Sequence, residues 1–126
     1  MAKSLKFSRG LLGGWFAGGL PASWNRMKFE NGPEEVVLSL SKGAAKKGYR
    51  FDTRDPIWVV IDTGECPQQC GVCGQIQDIK CTATQLTFNN LNDEQVTLRY
   101  QVNVLDPSNQ LKPIDPIMEN GGHGFL

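Results

Sequence analysis

From Val96 to Val104 every second residue is apolar: Val96, Leu98, Tyr100, Val102 and Val104 fall on one side, and Thr97, Arg99, Gln101 and Asn103 on the other. A period of two is the mark of a strand whose successive side chains point to opposite faces. Such a strand cannot stand alone. It needs hydrogen-bonded neighbours and a second layer over its apolar face, so this run commits the chain to a β-rich domain.

Other segments supply the neighbours. Val36, Leu38 and Leu40 alternate with Val37, Ser39 and Ser41, as in a half-buried strand. Ile57, Val59 and Ile61 alternate with Trp58, Val60 and Asp62, a strand apolar on both faces and hence expected to be central. Ile79, Cys81 and Ala83 share one parity while Leu86 and Phe88 share the other, which predicts a bulge near Thr84-Gln85. Turn chemistry separates these runs: a lysine-bearing turn from Gly43 to Gly48, then Asn89-Asn90-Leu91-Asn92-Asp93, then Asp106-Pro107-Ser108-Asn109. The expected fold is mainly β, a small antiparallel sandwich or barrel of five to six strands over residues 34–108, with a cysteine loop at 64–81.

Both ends lack a sustained period. Residues 1–33 hold Pro21, Pro33 and six glycines, and read as an irregular N-terminal arm. Lys3, Lys6 and Arg9 ahead of Leu11–Leu20 resemble the start of a secretory signal, but four glycines in those ten residues make a poor apolar helix, so a retained arm is expected. Residues 109–126, with Pro113, Pro116 and Gly121-Gly122-His123-Gly124, read as an extended C-terminal arm. Trp15, Phe16, Trp24 and Phe125 are large apolar groups for solvated tails, which makes them candidate partner-binding residues. On this reading, removing residues 1–24 leaves the β-domain folded and abolishes association with partners.

The four cysteines fall within 16 residues as Cys66-x3-Cys70-x2-Cys73-x7-Cys81. Four thiolates suit a closed tetrahedral zinc site, and Cys70-Gly71-Val72-Cys73-Gly74 supplies one CxxCG turn of the kind that holds it. Two disulfides, in any of three connectivities, fit the same residues in an oxidising setting, and free thiols are the third possibility. Cys66-x3-Cys70-x2-Cys73 also resembles the cluster-binding motif of radical S-adenosylmethionine enzymes, a likeness of eight residues. That family needs a large partial barrel, and the residues after Cys73 hold no alternating strands and helices.

Val59-Val60-Ile61-Asp62-Thr63-Gly64 resembles the active-site segment of aspartic proteases. The resemblance implies a retroviral-type dimer in which Asp62 shares a proton with its symmetry mate. The motif lies mid-chain here, and no glycine-rich flap follows, since Gly74 is the last glycine before Gly121. The residues alone read as a strand ending in an Asp-Thr-Gly turn. His123, the single histidine, has no identifiable acid partner, and neither a Walker loop nor a dinucleotide fingerprint occurs.

Net charge is zero but unevenly spread: residues 1–50 hold nine Lys/Arg against three acids (+6), and residues 51–126 four against ten (−6). Lys42, Lys46, Lys47, Arg50 and Arg54 with Tyr49 and Phe51 offer a weak nucleic-acid surface, diluted by Asp52 and Asp55. No run approaches the roughly 20 apolar residues of a membrane-spanning helix. Apolar arms and split charge point to a non-enzymatic component of a larger protein assembly present in multiple copies, a virion capsid or tail being the specific expectation. A small zinc-binding interaction module and an aspartic protease using Asp62 are the alternatives.

Overall fold

A computed structural model of the chain describes residues 2–30, 32–61 and 74–121. Its strands are β1 (Ala2–Arg9), β2 (Trp15–Ala17), β3 (Leu20–Pro21), β4 (Arg26–Phe29), β5 (Glu34–Leu40), β6 (Arg50–Phe51), β7 (Ile57–Ile61), β8 (Ile76–Cys81), β9 (Gln85–Asn90), β10 (Gln95–Val102), β11 (Val104–Leu105) and β12 (Ile117–Gly121). One sheet runs β3-β2-β1-β5-β9-β8, a second β4-β12-β10-β7, and β11 and β6 form a short pair. The sheets stay open rather than closing into a barrel, and the result is a sandwich-like, mainly-β fold. Both larger sheets are mixed, because β1 runs parallel to β5 and β12 parallel to β4.

The alternation seen in the sequence sets the inner faces. Val36 and Leu38 on β5, and Leu98, Tyr100 and Val102 on β10, are fully buried. They share one core with Phe7, Phe29, Leu86, Phe88, Ile57, Val59 and Met118. The Tyr100 hydroxyl is buried with no hydrogen-bond partner among the described residues, and burial pushes its pKa far up.

The terminal segments differ from the sequence expectation. Residues 2–9, read as part of an irregular arm, form β1, which lies between β2 and β5. Its inward positions are Lys3, Leu5, Phe7 and Arg9, so cations occupy both ends of the apolar row and obscure it. Lys3 lies 5.5 Å from the centre of the Phe29 ring and 4.0 Å from Glu34, and Arg9 stacks on Trp15 and Tyr49 at 5.0 and 5.3 Å. Each lays its stem along apolar surface and keeps its charge at the rim. Residues 117–121, read as part of an extended arm, form β12 between β4 and β10, with Pro116 just ahead of the strand where no ladder donor is needed.

β7 lies at a sheet edge, pairing with β10 alone among the described residues, although both its faces are apolar. The parity switch at Thr84-Gln85 is a hairpin reversal, with Thr82 N–H donating to Gln85 O; the irregularity sits at Gln77–Lys80, where Asp78 has φ of 56°. The turn from Gly43 to Gly48 contains a one-turn helix, α1 (Lys42–Lys46), started by Ser41 Oγ accepting from Ala44 N–H. Gly48 closes it at φ +92°, and a Cβ there would come within 2.7 Å of Pro107.

Buried amides join the layers. Asn90 on β9 and Asn120 on β12 exchange two hydrogen bonds of 2.8 and 2.9 Å, each the other's donor and acceptor. Gln101 and Asn103, expected to face solvent, are buried; Gln101 donates to Asn103 Oδ1, and Asn103 donates to Asp55 O.

Candidate functional site

One glycine before Leu11-Leu12 and two after it turn the chain between β1 and β2, with Gly10 N–H donating to Gly14 O and Gly13 N–H to Gly10 O. Gly13 and Gly14 both hold positive φ, a conformation that suits glycine. The turn leaves Leu11 and Leu12 at its tip, both fully exposed.

Behind the tip lies a cleft of about 240 Å³ lined by Arg9, Gly14, Trp15, Ala22, Ser23, Lys112, Pro113, Ile114 and Asp115. Three segments converge there: the β1–β2 turn, the 3-10 turn Ala22–Trp24, and the extended stretch before β12. Trp15 locks two of them by donating its indole N–H to Lys112 O at 2.9 Å, its ring edge-on to Tyr49 at 5.3 Å. Trp24, next to the lining residue Ser23, is 68% exposed, and Leu111, next to Lys112, is 43% exposed. Leu11, Leu12, Trp24 and Leu111 are thus exposed apolar residues on the three segments that supply the lining of the cleft.

Asp115 is the unusual member. Its Oδ1 is buried with no hydrogen-bond partner among the described residues. Burial raises its pKa, and the Arg99 guanidinium pulls it back only in part. With the folded-state pKa above the unfolded one, the folded chain holds this proton more tightly, so ionisation destabilises the fold as pH rises through that window. Asp115→Asn is therefore expected to raise the melting temperature of dilute protein at neutral pH, by under ~3 °C because the carboxyl is half in solvent, and to change nothing in acid. Calorimetry at the two pH values checks this; a lower melting temperature at neutral pH would mean that the carboxylate stabilises the fold.

Two larger clefts are more polar. One of about 510 Å³ runs over Lys28, Thr97 and Glu119, with Glu119 held by Arg26 at 3.2 Å. The other, of about 620 Å³, lies beside Arg50 and Asp52, where Arg50 already donates to Asp106 O and Asn109 Oδ1, and Asp52 accepts from Arg54 N–H. Leu105, in the wall of the second, pairs with the exposed Leu111.

No protein-family model and no curated protein matches this sequence.

The residues singled out from sequence divide. Trp15 is in the core at 8% exposure, Phe16 is half-buried, and Trp24 is exposed beside the cleft. Phe125, Cys66, Cys70, Cys73, Asp62 and His123 lie outside the described residues. Cys81, at the end of β8, is half-buried; its thiol donates to Thr82 O, and burial together with nearby Asp52 pushes its pKa up to about 11. Among the described residues no three His, Cys, Asp or Glu side chains gather as a metal site. Phe51 is buried and Tyr49 packs on Trp15, so neither ring is presented for base stacking. Sequence reasoning missed Arg9, Leu11, Leu12, Lys112 and Asp115. The signal for the first group was Gly10-Leu11-Leu12-Gly13, a leucine pair framed by turn residues. Nothing local marked Asp115.

Proposed function

We propose that this chain is a non-enzymatic subunit of a larger protein assembly, with a virion capsid or tail as its specific form, and that it docks through the Leu11–Leu12 turn next to the Arg9–Asp115 cleft. The observation that carries the reading is the pair Leu11 and Leu12, wholly in water at a rigidly hydrogen-bonded turn. Burying one leucine contributes about 1.5–3 kcal/mol, so a partner that covers the pair gains several kcal/mol, and the ordered turn loses little further freedom on docking. Trp24 and Leu111, exposed on the other two segments that line the cleft, add to the apolar surface that a partner could cover.

This relocates the contact from free arms to a folded turn. β1 and β12 are committed to their own sheets, so those strands are not themselves free to reach a partner. The test is the double variant Leu11→Ser/Leu12→Ser, produced in the cell the chain comes from. Its melting temperature should stay within ~2 °C of wild type, since both side chains are solvated, while its share in the large-particle fraction of a sedimentation gradient falls sharply. Undiminished sedimentation with the particle would refute the docking role.

A further inference from the structure

We infer that Asp78 is a guard built into the open edge of the six-stranded sheet: inserted into β8 as one residue too many, it keeps that edge from pairing with β8 of a second copy. The edge is separate from the Leu11–Leu12 turn, so its guarding does not depend on the docking reading above.

Among the described residues four strands end the two larger sheets: β3 and β8 in one, β4 and β7 in the other. An open edge offers unpaired N–H and C=O groups to any further strand, so a soluble sheet has to blunt it. β3 is two residues long and ends in Pro21, and β4 places Arg26 and Lys28 in solvent. On β7, Ile57 and Val59 are closed to solvent, each 2% exposed. β8 is the longest of the four at six residues, and Gln77, Asp78, Ile79 and Lys80 are all exposed in succession. It is the edge most open to another chain.

The ladder with β9 supplies the blunting. Gln77 pairs with Asn89 and Lys80 with Thr87, so Asp78 and Ile79 both stand opposite Phe88. Asp78 holds φ of 56°, a left-handed conformation uncommon outside glycine, and Asn89 Nδ2–H donates to its carboxylate at 2.8 Å. Thr82 N–H donates to Gln85 O and Leu91 N–H to Gln75 O. By the alternation of an antiparallel ladder, the backbone groups of Ile76 and Cys81 therefore point away from β9. A regular strand would place one more outward residue in step between them; Asp78 and Ile79 share that place, and the bulge twists the row out of line.

Without Asp78 the strand reads Ile76, Gln77, Ile79, Lys80, Cys81, in strict apolar and polar alternation with Ile79 opposite Phe88. That edge is self-complementary. A two-fold through Ile79 sets Ile79 against itself and Gln77 against Lys80 of the other copy, with no like charges facing. One residue thus separates the chain from one that extends its sheet by its own edge.

The experiment deletes Asp78 from the full chain carrying Leu11→Ser/Leu12→Ser, so that the leucine turn contributes no contact. Sedimentation equilibrium follows it from about 1 to 500 μM, with reductant present to keep disulfides from forming. The deletion variant should self-associate at least about tenfold more tightly than its parent. Asp78→Gly keeps the inserted residue and its left-handed backbone, so it should behave as the parent does. Hydrogen exchange on the wild-type chain needs no deletion: the Cys81 amide, aimed off the sheet, should exchange rapidly, while those of Leu86 and Phe88 on the interior strand β9 stay protected. A protected Cys81 amide overturns the inference, because the edge would already be covered. So does a deletion variant that is folded but no more associated than its parent, or an Asp78→Gly chain that associates as strongly as the deletion. A deletion that abolishes folding overturns it as well, since Asp78 would then be required within the fold rather than at its edge.

Discussion

Deleting residues 1–24 is expected to leave a chain that no longer folds cooperatively. β1 is an interior strand, paired residue by residue with β5 from Ala2↔Glu35 to Phe7↔Leu40, and with β2 from Phe7↔Ala17 to Arg9↔Trp15. Its loss strips one side of β5 of its ladder and uncovers the inner-face residues Val36, Leu38 and Leu40. It also removes Phe7 and Trp15 from the core together with Ala17 and Ala22. Truncating one buried Phe or Trp to Ala costs about 3–5 kcal/mol, and a small domain has about 5–15 kcal/mol in total. Two such losses with a broken ladder exceed what a 126-residue chain can spare. Far-ultraviolet circular dichroism and thermal melting decide the matter: a sharp transition near the wild-type temperature would show that the segment is the dispensable arm that its composition suggests.

The second large effect is expected at the amide pair between the sheets. Asn120→Ala should cost about 1–3 kcal/mol, because it leaves the fully buried Asn90 with its amide donor unmet, while Asn90 Oδ1 keeps the bond it accepts from Asn92 N–H. Asn90→Ala should cost as much or more, since Asn90 Oδ1 also accepts from Asn92 N–H, and Asn92 in turn donates to Gly32 O. The double variant should be little worse than either single one, with a coupling above about 1 kcal/mol, because the second substitution removes a group already orphaned by the first. Urea denaturation of the four proteins measures the cycle. Strictly additive costs would mean that the two amides do not act as a unit.

The strands differ in how openly the sequence announced them, and the difference has a physical cause. On β5 from Val36 to Leu40, and on β10 from Val96 to Val102, the inward positions are aliphatic or aromatic, so the period of two is unbroken there. On β1 the inward row is Lys3, Leu5, Phe7 and Arg9, and on β12 it is Met118 and Asn120 behind Pro116. A lysine that reaches along a ring, or an asparagine that finds another asparagine, is as much an inside residue as a valine. Its partner is what makes it so, and the partners here are 26 residues away for Lys3 and 30 for Asn120. β7 shows the converse. Ile57, Val59 and Ile61 beside Trp58 and Val60 read as a central strand, yet the strand is an edge and Ile61 is 52% exposed.

The candidate site follows the same division. Gly10-Leu11-Leu12-Gly13 was visible as glycine-framed leucines, but whether those leucines pack inward or project depends on the direction in which β1 and β2 leave the turn. Lys112 and Asp115 became neighbours of Arg9 because Trp15 hydrogen-bonds Lys112 O across 97 residues of chain.

The alternating rows and turn residues in the sequence determined that this protein is mainly β and which faces of β5, β9 and β10 point inward, because side-chain parity is local and needs no partner to be read. Tertiary structure decided that both terminal segments contribute interior strands, that two strand pairs are parallel, and that a cleft forms where Arg9, Lys112 and Asp115 meet. Those outcomes depend on which strand finds which neighbour, and long-range pairing is chosen by the summed burial and hydrogen bonding of the whole chain, a quantity that no single segment carries.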